Sequence, residues 1–149
     1  MRVLLQRVDH GSVAVEGETI GKIGTGYVLL VGVGGEDTQA EADKLAKKIV
    51  GLRLFNNDAG KFDRSLLDVG GGALVVSQFT LFGDTRKGRR PSFSDAARPE
   101  VAAPLCDYFA TRLKEEGVSH VATGSFGAHM HVEIHNDGPV TLWLDSAAM

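Results

Sequence analysis

The amino-acid sequence predicts an α+β domain built on a mostly antiparallel β-sheet or barrel with two main helices. Many short apolar segments have the length or alternation of strands, only two segments have helical spacing, and turn residues separate them. A chain of 149 residues fits one domain with room for a sizeable core. Because no repeat, linker or low-complexity tract divides it, we treat residues 1–149 as a single domain.

The first part of the chain is predicted to form strands. Apolar residues alternate in residues 3–7 and again in residues 13–15, with His10-Gly11-Ser12 as a break between two strands. Glu16-Gly17-Glu18 has the composition of a hairpin turn. The continuous apolar run at residues 27–33 has the length of a strand, which predicts that it is buried.

The first helix is predicted to begin near Thr38. The segment Thr38-Gln39-Ala40-Glu41 matches the capping box, in which the Thr38 hydroxyl and the Glu41 carboxylate each accept a hydrogen bond from a free backbone N–H. Apolar residues follow at helical spacing and form the face that we expect to be buried. These residues are Ala42, Leu45, Ala46, Ile49 and Val50.

The second helix is predicted to run from about Pro99 or Ala102 to Glu116, with Gly117 ending it. Pro104 must then lie in the first turn of the helix or kink it, because proline has no backbone N–H. Residues at helical spacing form the inward face of this helix. They are Leu105, Tyr108, Phe109 and Leu113.

The remaining segments are predicted to be strands and a loop. Residues 73–81 are β-branched and aromatic enough for a central strand, and residues 84–98 form a long polar loop. Two final strands, at residues 131–135 and 140–144, flank Asn136-Asp137-Gly138-Pro139.

Composition predicts a cytoplasmic protein without membrane association. The apolar start of the chain is interrupted at Gln6-Arg7, which does not fit a signal peptide. The longest apolar runs are too short to span a bilayer. A single cysteine, Cys106, excludes an internal disulfide and suits a reducing compartment.

The charge balance does not indicate a general nucleic-acid-binding protein. The net charge is −3, from 16 basic and 19 acidic residues. Any RNA contact would therefore need a local basic patch, and Arg86-Lys87-Gly88-Arg89-Arg90 is the densest one. These cations could hold a phosphate backbone without reading its sequence, or the segment could be a solvated loop.

No cofactor and no metal ligand set are predicted. The glycine-rich segments complete neither a dinucleotide fingerprint nor a P-loop. His129, His131, Glu133 and His135 alternate, so on a strand they would share one face, where two imidazoles could chelate a metal. We favour the alternative of a solvated strand face.

Nucleophilic catalysis has weak support in the residues alone. Ser77 and Thr80 are hydroxyls on a predicted strand, where most hydroxyls only form hydrogen bonds, and no Gly-x-Ser-x-Gly elbow exists. Cys106 lies among apolar helix residues, which predicts a buried structural thiol. Gly138-Pro139 could be a plain turn, or a tight turn whose carbonyl oxygens receive an ammonium group.

Two motifs decide between these alternatives. Ser77-Gln78-Phe79-Thr80-Leu81, together with Asn136-Asp137-Gly138-Pro139-Val140-Thr141, resembles D-aminoacyl-tRNA deacylase, also called D-Tyr-tRNA deacylase. The resemblance covers nearly the whole chain, including residues 1–8, 87–93 and 124–130. One departure is Gly60-Lys61-Phe62-Asp63, where the family pattern has Gly-Lys-Met-Asn.

The resemblance implies a homodimeric hydrolase that proofreads chirality in translation, with its active sites at the subunit interface. Its substrates would be D-aminoacyl-tRNA and glycyl-tRNA. A cis Gly138-Pro139 motif would reach into the site of the other subunit and present main-chain carbonyls to the α-amino group, leaving no room for an L side chain. Arg7 is the residue expected to fix this motif.

The same resemblance implies roles for the other motif. Ser77, Gln78 and Thr80 would line the pocket, with Phe126 and Met130 forming the wall around the terminal adenosine. Two mechanisms are open, and in one of them Thr80 attacks the ester. In the other, which we favour, main-chain N–H groups around Phe79 and Thr80 form an oxyanion hole and the ribose 2′-hydroxyl helps to activate water.

Two rival functions remain at this point. One is a related deacylase of the same fold with a trans Gly-Pro bond, which clears L-alanine from a non-cognate tRNA. Ser77-Gln78 and Arg7 favour the D-specific member. The other rival is a non-catalytic nucleic-acid-binding module that uses the basic loop, and the pair of pocket motifs argues against it because binding alone needs neither.

Overall fold

The computed structural model describes all residues, 1–149, in eight strands, two α-helices and two short 3-10 helices. The strands are β1 (Arg2–Val15), β2 (Glu18–Ile23), β3 (Gly26–Gly32), β4 (Arg53–Asn56), β5 (Phe62–Ser65), β6 (Gly72–Ser77), β7 (Val121–Thr123) and β8 (His131–Asp145). The helices are α1 (Gln39–Gly51) and α2 (Pro99–Glu115), and the 3-10 helices are Phe79–Phe82 and Ser146–Ala148.

The main sheet is mixed and curls into a nearly closed barrel. Strand β1 pairs antiparallel with β8 along most of its length, and its other edge pairs with β3 and then with β2, both antiparallel. Strand β6 pairs in parallel with β3 on one side and with β7 on the other. Strand β2 also approaches β7, since a side chain at Gly21 would collide with the carbonyl oxygen of Thr123.

The two parallel connections explain why the sheet is not purely antiparallel. A parallel pair needs a crossover, and α1 and α2 lie in the crossovers from β3 to β6 and from β6 to β7. The helices pack on one face of the sheet, where Leu45 and Phe109 are buried with Leu29. The opposite face holds a smaller core that includes Val28 and Leu74. Strand β3 is therefore covered on both faces, as its unbroken apolar run predicts.

Strand β1 does not break at His10-Gly11-Ser12 as predicted. It continues to Val15 because β8 supplies a pairing partner at each of these three positions. The register with β8 shifts on both sides of Val8, so the interruption is a bulge inside a long strand. The two predicted final strands are likewise one strand, β8, which contains Gly138 and Pro139.

The predicted strand at residues 73–81 is shorter than expected. Strand β6 ends at Ser77, close to the point where its neighbour β3 ends at Gly32. The N–H of Gln78 donates to the carbonyl of Val31 at 2.7 Å, and the chain then turns into the 3-10 helix. Thr80 is therefore not on a strand.

Both predicted helices are present. Helix α2 begins at Pro99, so Pro104 lies in its second turn rather than in the first. In α1, Thr38 is the N-cap and the capping box is complete, with the Thr38 N–H donating to the Glu41 carboxylate at 2.6 Å. Hydrogen bonds from the Thr38 side chain and backbone lower the pKa of Glu41. Neither helix is long and apolar enough to cross a membrane.

Thr38→Ala should destabilise the protein by about 1 kcal/mol at neutral pH, because the N-cap hydroxyl is lost. Glu41 has a lowered pKa in the folded state, so its contribution is present above its unfolded pKa and is lost as the pH falls through the folded pKa. The deficit of Thr38→Ala should therefore shrink in acid. Urea unfolding at neutral and acidic pH measures it, with Thr38→Ser as the control that keeps the hydroxyl. Equal losses in both variants would contradict the capping role.

Candidate functional site

A cavity of about 620 Å³ opens where β6 ends. Its walls come from the ends of β3 and β6, the first 3-10 helix, the start of α2 and the segment that leads into β8. Most of the lining is apolar, and the volume is typical of a small-molecule site. Five of the residues predicted for the active site line it. They are Ser77, Gln78, Phe79, Phe126 and Met130.

The predicted catalytic segment, Ser77 to Thr80, contributes its first three residues to the lining of this cavity. Ser77 and Gln78 are half-buried, whereas Phe79 and Thr80 are exposed. The Gln78 side-chain amide donates a hydrogen bond to the Thr80 hydroxyl. Phe79 is held by an edge-on contact with Phe93, with 5.0 Å between the ring centroids. Thr80 itself lies beside the cavity and is not part of its lining.

Ionisable groups in the cavity are few. The lining contains no carboxylate and no lysine, and its ionisable side chains are Arg98, His129 and Cys106. Burial, and secondarily the charge of Asp107, raises the pKa of the Cys106 thiol to about 11. The thiol is therefore protonated at neutral pH and is a poor nucleophile, as expected for a buried structural cysteine.

Two basic residues of the cavity, His129 and Arg98, are not among the predicted site residues. His129 lies before β8 rather than on it, and it faces the cavity together with its neighbours Ala128 and Met130. Arg98 directly precedes the first residue of α2, at the end of the segment that the sequence predicts as a polar loop. For His129 the available signal is its place in residues 124–130, which belong to the family resemblance. For Arg98 the only signal is its position before the predicted helix start.

Arg7 is buried although it is charged, with 6% of its surface exposed. Its Nη1 donates to the carbonyl of Leu54 at 2.6 Å, and its Nε donates to the carbonyl of Asp137 at 3.1 Å. The Asp137 carboxylate lies 3.6 Å from Nε and balances the charge. Arg7 therefore ties β4 to the part of β8 that immediately precedes Gly138.

Gly138 and Pro139 are exposed, and the peptide bond between them is cis. Gly138 has φ +130°, a conformation that L side chains rarely adopt. A Cβ atom there would lie 2.8 Å from Val140 Cγ2 and 3.2 Å from Arg7 Nη2. Neither Gly138, Pro139 nor Arg7 lines the cavity of the same chain. The predicted site residues thus form two separate groups.

The basic loop is closed at its base by two backbone hydrogen bonds between Asp84 and Ser92, of 2.7 and 2.9 Å. Arg86 folds back on Asp84 through two contacts of 2.9 and 2.8 Å and lowers the pKa of that carboxyl to about 2. The other cations of the loop are exposed and have no acidic partner within 4.0 Å. They are Lys87, Arg89 and Arg90.

The histidine face predicted on the last strand is only partly formed. His131, Glu133 and His135 are exposed on β8, and His129 contacts His131 edge-on at 5.3 Å between centroids. His135 instead stacks on His10 of β1. His10 is exposed and lies within β1 rather than at a break between two strands.

Comparisons with known proteins agree on one family. The family model described as "D-Tyr-tRNA(Tyr) deacylase" matches residues 4–145. The "D-aminoacyl-tRNA deacylase" of Roseiflexus castenholzii is 60% identical over 147 residues, covering 99% of this chain and 93% of the relative. The protein of the same name from Thermomicrobium roseum is 60% identical over 149 residues, covering 100% of this chain and 96% of the relative.

Solved structures share the fold. One described as "c-Myc DNA Unwinding Element Binding Protein" has a TM-score of 0.91 at 40% identity, covering 97% of this chain and 98% of that one. Another, described as "Structural Analysis of a probable eukaryotic D-amino acid tRNA deacylase", has a TM-score of 0.84 at 20% identity, covering 96% and 97%.

Arg7→Lys should lower the free energy of unfolding by about 1–3 kcal/mol, because one ammonium cannot serve both carbonyls and one buried acceptor loses its partner. Urea unfolding measures the change. Arg53→Lys is the matched control, since its ion pair with Asp63 is exposed and should contribute little. Equal stability of the two variants would mean that the Arg7 contacts do not support the fold.

Proposed function

The chain belongs to the D-Tyr-tRNA(Tyr) deacylase family, and on this premise we propose that it hydrolyses the ester bond of D-aminoacyl-tRNA to free D-amino acid and tRNA. The observation that carries the proposal is the cavity, which joins Ser77-Gln78-Phe79 to Phe126 and Met130. Its apolar walls and exposed aromatic rims suit a terminal adenosine and an aminoacyl group. A substrate made and used in translation implies a cytoplasmic enzyme.

The active site is proposed to be completed by a second copy of the chain. Gly138 and Pro139 are exposed but lie outside the cavity of their own chain. In a homodimer they would enter the cavity of the partner, so that two separate groups of residues become one site. Exposed aromatic side chains would then be covered, which favours association. They are Phe79, Phe126 and Trp143.

Gly138 and Pro139 would act as the chirality filter of the enzyme. Their main-chain carbonyl oxygens accept hydrogen bonds and would receive the α-ammonium group of the substrate. An L side chain would then point into the backbone, whereas a D side chain would point away, so selection depends on steric rejection. Glycine has no side chain to reject, and glycyl-tRNA should also be cleaved. Arg7 supports this role because it fixes the preceding residue, Asp137.

The proposed chemistry relies on positioning rather than on a side-chain nucleophile. Water attacks the ester carbonyl, the tetrahedral oxyanion forms, and the ribose oxygen leaves. The N–H groups of Phe79 and Thr80 would stabilise the oxyanion, and the ribose 2′-hydroxyl would help to activate the water. The Thr80 hydroxyl forms no hydrogen bond with a histidine, carboxylate or lysine that could act as its base, and it already accepts a hydrogen bond from Gln78.

The basic loop is proposed to hold tRNA phosphates beside the cavity. Lys87, Arg89 and Arg90 are exposed and free of acidic partners, so they are available for phosphate. The loop leads directly into Phe93, which packs on Phe79 at the cavity rim. Contacts with the tRNA phosphates would therefore lie next to the reacting ester. A nucleic-acid-binding module without catalysis would not require this proximity.

Hydrolysis should distinguish substrates by the hand of the amino acid. With equal amounts of each tRNA, we expect rapid release from D-Tyr-tRNA and glycyl-tRNA and no acceleration above the uncatalysed rate for L-Tyr-tRNA. Mischarged L-Ala-tRNA should also be spared. Time courses of the remaining charged tRNA measure this, with heat-denatured protein as the control. Cleavage of L-Ala-tRNA alone would instead indicate the related deacylase activity on L-alanine. If none of the four charged tRNAs is cleaved, both deacylase functions are rejected.

Thr80→Val should retain activity within about tenfold of the parent, because the hydroxyl does not attack the ester in the proposed mechanism. Single-turnover hydrolysis of D-Tyr-tRNA measures the effect. Thr111→Val, on the exposed face of α2, is the matched control. A loss of about a thousandfold or more, with folding and tRNA affinity unchanged, would identify Thr80 as the nucleophile.

A further inference from the structure

Two imidazole rings face each other on neighbouring strands, outside the cavity. His10 of β1 and His135 of β8 are register partners, and their rings stack with centroids 3.6 Å apart at an interplanar angle of 30°. Both side chains are about half exposed, at 53% and 48%. Ring nitrogens are thus close together at a place that solvent and ions can reach.

A bulge brings a carboxylate to the same place. Successive side chains of a regular strand point to opposite faces, so Asp9 and His10 should diverge. The register shift between Val8 and His10 leaves Asp9 without a partner on β8 and re-aims its side chain. Asp9 Oδ1 consequently lies 2.8 Å from His10 Nδ1.

A second carboxylate, that of Glu133, lies close to His135. Glu133 Oε1 lies 3.6 Å from His135 Nε2, and its other oxygen accepts a hydrogen bond of 2.9 Å from the Ser12 hydroxyl. Carboxylates in such positions orient the imidazoles of metal sites. One potential ligand atom from each of Asp9, His10 and His135 lies within 4.8 Å of the other two.

We propose that Asp9, His10 and His135 form a binding site for one Zn²⁺ ion. Two imidazole nitrogens and one carboxylate oxygen are a donor set that zinc accepts, and a water molecule would complete four-coordination. Glu133 would hold His135 from outside the ligand shell. The ion would bridge β1 and β8 at their bulge, one residue before the Asn136 to Pro139 segment. It would therefore brace the strand that carries Gly138 and Pro139.

Zinc binding to the metal-stripped full chain tests the site. Equilibrium dialysis should find one ion per chain at micromolar zinc, and His10→Gln or His135→Gln should each weaken binding by about tenfold or more. His120→Gln is the matched control, because that exposed histidine bonds only to the Lys22 carbonyl, and it should bind as the parent does. The double change His129→Gln with His131→Gln removes the competing histidine pair and should also leave binding intact.

Two further readouts separate a built site from general surface affinity. Zinc should raise the thermal unfolding temperature of the parent and of His120→Gln but not of His10→Gln or His135→Gln. Cobalt added in place of zinc should give visible absorption that disappears in the same two variants. No saturable binding at micromolar zinc, or binding lost only in the His129 and His131 double variant, would overturn the proposal.

The metal site stands apart from the proposed catalysis, which assigns no role to an ion. Hydrolysis of D-Tyr-tRNA by the metal-stripped parent should therefore persist. If zinc does not bind while hydrolysis continues, the result rejects only the metal site. If zinc binds and no ester is cleaved, the result rejects only the proposed function.

Discussion

The guanidinium of Arg7 joins strand β4 to the segment of β8 that precedes Gly138. A buried charge is costly unless it is paired and fully hydrogen-bonded, so the fold must supply partners around it. Leu54 on β4 and Asp137 on β8 provide carbonyl oxygens, and the Asp137 carboxylate provides the opposite charge. Glycine is favoured at position 138 because its φ is +130° and because a Cβ atom there would lie 2.8 Å from Val140 Cγ2 and 3.2 Å from Arg7 Nη2. One buried cation thus holds the residue that precedes the exposed Gly138–Pro139 segment.

Features that depend on neighbours in sequence could be predicted. The capping box at Thr38 and Glu41 is closed within one turn, and the apolar run of β3 is long enough to indicate a strand without knowledge of its partners. Features that depend on distant partners could not. His10-Gly11-Ser12 looks like a break, yet β8 pairs with all three positions and keeps them extended. The reverse holds after Ser77, where strand-like residues turn into a 3-10 helix because the neighbouring strand has ended.

The candidate site follows the same division. The motif predicts Ser77 and Gln78 as site residues, and the structure places them in one cavity with Phe126 and Met130. The alternating pattern places His129 on one strand face with His131 and His135. This grouping is wrong for His129, because β8 begins only at His131. The Asp9, His10 and His135 cluster could not be foreseen at all. It needs a one-residue shift of register, and such a shift leaves no pattern in the sequence.

A cavity whose lining holds no carboxylate and no lysine can still serve the reactive ester of the proposed substrate. What such an enzyme must supply is discrimination, and backbone atoms suit this task because they cannot change rotamer to admit the wrong hand. Their position must then be set by rigid surroundings. Arg7 provides this support through its hydrogen bond to the Asp137 carbonyl, and the register shift between β1 and β8 lies next to the same segment, at Asn136. Selectivity in the proposed enzyme therefore depends on how firmly β8 is held, and less on the side chains that the substrate touches.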